Sequence, residues 1–130
     1  MGTELQLLVW SMVLGLVHLA VGATLSTQQR GLAWNAGARD GVAKPLTGVA
    51  ARVDRALHNF LETFPFFAVA VLIVVMTQRS TAGTVLGAQL YFWARVAYVP
   101  VYAAGIPYLR SAVWGVSLVG LLMLLKVLLA

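Results

Sequence analysis

Arg52-Val53-Asp54-Arg55-Ala56-Leu57-His58-Asn59-Phe60-Leu61-Glu62-Thr63-Phe64-Pro65 runs without a break into the apolar segment Phe66 to Met76. At about 100° per residue of helix, Arg52, Arg55, Asn59 and Glu62 fall within an arc of roughly 80°. Two arginines, an amide and a carboxylate thus descend one helical face into a hydrophobic span. Ionisable groups at membrane depth are expensive, so such a row is by default a functional-site hypothesis. The alternative reading is a structural ion-pair seam between packed helices.

Composition sets the class. Of the 130 residues, 61% are hydrophobic and 10% charged. Soluble domains carry about 25% charged residues, so the chain is expected to be an all-α integral membrane protein forming one domain over residues 1–130. There is no cysteine, which excludes disulfides and thiolate metal sites; any thiol chemistry must use an external thiol. The two histidines are far apart and give no metal-ligand spacing. The net charge of +5 is scattered among apolar spans, and no nucleic-acid partner is expected.

Working outward, Leu5 to Leu25 is a first span, about the 20 apolar residues that cross a bilayer. It lacks a basic start and a convincing cleavage site, so it reads as a retained helix. His18 lies mid-span and reads as a hydrogen-bonded packing residue. Thr27 to Gly48 is a polar loop with Arg30, Arg39, Asp40 and Lys44, either a solvated connector or a basic lid over a site at the membrane surface. The second helix begins near Val49 and ends near Gln78, with Pro65 inside it. A third span covers about Thr84 to Ala104, where Tyr91, Arg95, Tyr98 and Tyr102 make one helical stripe. Gly105 to Arg110 reads as a tight connector, and Ser111 to Leu129 as a fourth, nearly featureless span.

Four spans form a bundle with both termini on one side. Arg30, Arg39, Lys44, Arg52, Arg55 and Arg110 lie at the first and third loops, against Arg79 and Lys126 on the other face. The positive-inside rule then makes loops one and three cytoplasmic. In this arrangement Glu62 and Arg95 lie deep in the membrane and are expected to pair. Arg52, Arg55, Asn59, Tyr98, Tyr102 and Arg110 sit above them in a positive pocket bordered by lipid, suited to a small anionic ligand meeting a lipophilic one.

Arg52-x-x-Arg55-x-x-x-Asn59-x-x-Glu62-x-x-Pro65 resembles the helix-two signature of the MAPEG family, the membrane-associated proteins in eicosanoid and glutathione metabolism, which include the microsomal glutathione transferases. Arg95-x-x-Tyr98-x-x-x-Tyr102, followed by Arg110, resembles that family's helix-three motif. Length, four spans and the polar first loop agree over nearly the whole chain. Thr63 stands where some relatives carry an aromatic residue. His58 directly precedes Asn59, where others place a histidine two residues before. The Tyr102 to Arg110 spacing differs by one residue among relatives.

The resemblance implies a homotrimer of four-helix subunits with glutathione, as co-substrate, bound between neighbours. It implies that Arg55, Asn59, Glu62, Tyr98 and Tyr102 hold glutathione, and Arg52 and Arg95 of the same two motifs are counted with them as binding residues. Arg39 or Arg30 would be a loop arginine gripping a carboxylate, and Arg110 the arginine that activates the thiol. Three readings stay open: an enzyme that conjugates glutathione to lipophilic electrophiles or reduces lipid hydroperoxides with it, a non-catalytic membrane protein that keeps the trimer, and a small transporter.

Overall fold

The computed structural model describes residues 1–130. Four long helices, α1 (Thr3–Arg30), α3 (Gly48–Met76), α4 (Ala82–Ala103) and α5 (Pro107–Leu129), run up and down, and a short α2 (Leu32–Ala36) lies in the first connection. Pro65 and Pro100 are carried inside α3 and α4. Two boundaries differ from expectation. The first helix continues to Arg30 before Gly31, with φ +91°, breaks it. The last helix starts at Pro107, whose missing N–H and fixed φ suit a first turn. Arg110 is therefore a helical residue and not part of a connector.

The core gathers Leu7 and Leu8 of α1, Phe67, Val71 and Val74 of α3, Ala88 and Tyr91 of α4, and Leu121 and Leu124 of α5. The Phe67 and Tyr91 rings stack with centroids 4.0 Å apart. The Tyr91 hydroxyl meets the Thr63 hydroxyl at 2.9 Å. α4 and α5 touch backbone to backbone: a Cβ at Gly87 would lie 2.7 Å from the Gly120 carbonyl oxygen. Large apolar side chains such as Leu16, Val69 and Leu122 remain exposed along the outer faces. That surface suits hydrocarbon rather than water.

Three helices, α1, α3 and α5, are long and apolar enough to cross a membrane. Four such spans were expected. α4, at 22 residues, reaches about 33 Å, but its sequence is more polar. The polar side chains Thr84, Tyr91, Arg95 and Tyr98 are buried inside the bundle, so its low hydropathy reflects what it turns towards its neighbours.

At the end where both termini lie, Glu4 is buried and accepts from the Ser80 hydroxyl and, at 2.9 Å, from the Thr84 hydroxyl. Thr81 and Thr84 cap α4 reciprocally. The acid expected at depth is Glu62, but the buried one is Glu4, which ties the start of α1 to the start of α4.

Candidate functional site

The opposite end of the bundle collects the arginines. Arg52 Nε donates to the carbonyl of Ala103 at 2.8 Å, so the start of α3 fastens the last residue of α4. Arg55 Nε donates to the Tyr102 hydroxyl at 3.1 Å. Arg110, in the first turn of α5, places its guanidinium carbon 5.0 Å from the centre of the same tyrosine ring. Gly105, with φ +75°, lets the chain reverse between α4 and α5 within three residues. Arg52, Arg55, Tyr102, Arg110 and the turn Gly105–Pro107 enclose a pocket of about 230 Å³.

Its electrostatics are one-sided. Three guanidinium groups converge and no carboxylate lines the space. Arg110 also stands in the first turn of a helix, where the macrodipole disfavours a cation. An anion in the pocket would relieve both strains, and arginine suits a partly dry site because it stays charged.

Behind the pocket lies a buried layer. Arg95, 1% exposed, donates from NH1 to Asn59 Oδ1 at 2.8 Å. Its guanidinium sits 4.4 Å from the Tyr98 ring centre and 5.7 Å from that of Phe60. Tyr98 meets Tyr102 edge to face, centroids 5.4 Å apart. Arg95 and Tyr98 are thus supports for Tyr102 and do not themselves line the pocket.

The expected Glu62–Arg95 pair is not formed. Glu62 is exposed, and Arg95 has taken the amide of Asn59 in place of the carboxylate. The reason is angular. Asn59 and Glu62, three residues apart, differ by about 60° around the helix, enough to turn Asn59 to α4 and Glu62 outward. Arg52 and Arg55 both bond residues of α4, Arg52 half-buried and Arg55 exposed.

Arg39 is also outside the cluster. It wraps back on α2, donating from Nε and NH2 to the Asn35 carbonyl at 3.1 and 2.8 Å. Arg30 donates to the Lys44 carbonyl at 2.8 Å, and Gln29 exchanges two hydrogen bonds with Thr47, at 3.0 and 2.9 Å. Because α1 runs on to Arg30, these side chains reach the loop backbone and tie it to the helix end. No hydrogen bond joins this loop to the pocket residues.

His18 is a buried packing residue, as expected, with Nε2 3.1 Å from the Val53 carbonyl of α3. It holds the turn that carries Arg52 and Arg55. Sequence reasoning missed the Glu4–Ser80–Thr84 contact, for which the one available signal was the Thr81-x-x-Thr84 capping spacing.

Compared with known families, the chain matches the model of the MAPEG family over residues 7–130. No curated protein and no solved structure matches it.

Proposed function

The chain belongs to the MAPEG family, an integral membrane family of glutathione and eicosanoid metabolism, and from that premise we propose that it is a glutathione-dependent enzyme of the microsomal glutathione transferase type. It conjugates glutathione to lipophilic electrophiles or reduces lipid hydroperoxides with it. The observation that carries this reading is the convergence of Arg52, Arg55 and Arg110 on Tyr102 with no acid among them. Glutathione brings two carboxylates to such a pocket, and the thiol that this cysteine-free chain lacks.

In this reading Arg55 and Arg52 bind a carboxylate, and Arg110 stabilises the thiolate. A thiol of pKa about 8.5 is only about 3% ionised at pH 7. A neighbouring guanidinium lowers that pKa by about one to three units. Raising the ionised fraction to near one is worth roughly 30-fold, or about 2 kcal/mol, before any loss of nucleophilicity. The thiol proton leaves to solvent. The thiolate either displaces the leaving group from the electrophile, or attacks the peroxide oxygen with cleavage of the O–O bond, releasing the alcohol and a glutathione sulfenic acid that a second glutathione converts to the disulfide and water. Ile106 and Leu109, exposed beside Arg110, offer the lipophilic partner an approach from the bilayer.

One subunit supplies part of the site. About 230 Å³ falls below the roughly 300–1,000 Å³ of small-molecule pockets, and Arg55 and Glu62 are both exposed on α3. A neighbouring subunit would provide the other wall, with Glu62 meeting the glutathione ammonium. We take α4 as the fourth crossing and the assembly as a homotrimer. The test is retention of detergent-solubilised protein on immobilised glutathione, followed by turnover with a generic aryl halide. Failure to bind would overturn the reading; binding without turnover would leave a non-catalytic glutathione-binding protein.

A further inference from the structure

Two arginines of the pocket share one tyrosine, and they use different parts of it. Arg55 Nε donates to the Tyr102 hydroxyl at 3.1 Å. The Arg110 guanidinium carbon lies 5.0 Å from the centre of the Tyr102 ring, and that of Arg55 lies 5.8 Å from it. Two like charges, one from α3 and one from α5, thus meet at a single neutral ring of α4.

The ring is held from behind by residues outside the pocket. Tyr98, one helical turn before Tyr102, meets it edge to face with centroids 5.4 Å apart. Tyr98 is 1% exposed, and its own face carries the Arg95 guanidinium at 4.4 Å. Arg95 is fixed in turn on Asn59. Tyr102 is therefore a seated side chain against which two longer, more mobile ones are set.

The two contacts differ in what they leave free. A hydroxyl accepts from Nε, so Arg55 has used one donor and fixed the plane of its guanidinium. Its two terminal amino groups remain, and they match the two oxygens of a carboxylate. A ring face attracts a cation through its quadrupole and takes up no N–H group. Arg110 is thereby held with all five donors uncommitted. No other side chain at this position does both. Phenylalanine would keep the hold on Arg110 alone. A carboxylate would pair with the arginines and cancel the charge that makes the pocket attractive to anions.

We propose that Tyr102 is a positioning residue that sorts the two arginines: its hydroxyl orients Arg55 for a carboxylate, and its ring holds Arg110 free for the thiolate. What each arginine binds rests on the glutathione reading above; the sorting itself does not.

The test separates hydroxyl from ring with Tyr102→Phe and Tyr102→Leu in the full detergent-solubilised chain. Arginine side-chain NMR without ligand reads the sorting directly, the Nε–H signals being assigned by Arg55→Lys and Arg110→Lys. In Tyr102→Phe the Arg55 signal should lose its protection from solvent exchange while the ring-current shift of Arg110 persists. In Tyr102→Leu both should be lost. With glutathione, Tyr102→Phe should weaken binding roughly 3- to 10-fold, the worth of one hydrogen bond, and the thiolate absorbance per bound glutathione should stay. Tyr102→Leu should also lower that absorbance, up to roughly 30-fold at pH 7. In an Arg55→Ala background, Tyr102→Phe should have no further effect on affinity. An Arg55 signal that ignores Tyr102→Phe would overturn the proposal. So would Arg110 and Arg55 signals that move together in that variant, since the tyrosine would then be a general support. If the wild-type protein binds no glutathione, the functional reading fails and the ligand-free spectra still decide the sorting. Should Tyr102→Leu fail to fold, Tyr102→Phe decides alone.

Discussion

Arg110 presents its guanidinium to the face of Tyr102 without a side-chain hydrogen bond to hold it, while Arg55 is fixed to the hydroxyl of the same ring. The two should therefore fail differently. Arg110→Ala is expected to remove the ultraviolet thiolate absorbance of bound glutathione, a loss of roughly 30-fold in ionised thiol at pH 7, with little change in affinity. Arg55→Ala should weaken retention on immobilised glutathione. A thiolate signal that survives Arg110→Ala would reassign the activating group. Deeper in the bundle, Asn59→Leu leaves Arg95 without its protein acceptor and should cost about 1.5–3 kcal/mol, read from detergent unfolding. Glu62→Gln, at a side chain with no partner inside the subunit, should move the same midpoint by less than about 0.5 kcal/mol. At this scale the sequence revealed the row of polar residues but misplaced the partner of Arg95. An arc of 80° is wide enough to be divided between two neighbours, and helical spacing alone does not say where the division falls. The contact of Arg39 with Asn35 was not legible, because its local acceptor, the end of α2, was not visible as a helix within the polar loop.

Among the helices, α5 was the least informative in sequence and holds the tightest crossing. Its Gly120 meets the backbone of α4: a Cβ there would come within 2.7 Å of the Tyr91 nitrogen. Small residues of this kind let membrane helices approach closely. Gly120→Val should separate α4 from α5 and cost about 1–3 kcal/mol. Gly115→Ala, whose added methyl would meet nothing within 4 Å, should be neutral or slightly stabilising because alanine favours the helix. Thermal loss of helical circular dichroism in detergent compares the two; equal effects would mean that the crossing contributes little. The helices themselves were legible because apolar runs of this length have few alternatives. What remained hidden was which glycine packs and which is merely tolerated, since that depends on a neighbour distant in sequence. α4 was legible as a helix by its tyrosine stripe, yet its polarity is understood only once that stripe is seen to face inward.

For the molecule as a whole, the six basic residues gathered at the pocket end, against Arg79 and Lys126 at the other, predict a cytoplasmic pocket. Val42→Cys, at a fully exposed loop position, should resist an impermeant maleimide in intact cells, and Ala82→Cys should react; the reverse pattern would invert the topology. In mild detergent the proposed trimer should give three times the 13.9 kDa chain mass by native mass spectrometry, and a monomer mass would remove the neighbour from the site. The burial of Glu4 also bears on how the chain is made. Its partners Ser80 and Thr84 lie 76 and 80 residues downstream. At about 5–20 residues per second of synthesis, they leave the ribosome on the order of 4–16 seconds after Glu4 does. During that interval α1 and α3 can already be laid into the bilayer, while the carboxylate at the head of α1 stays in the headgroup water. Only when the insertion machinery delivers the start of α4 can the first residues of the chain be drawn in and the bundle closed.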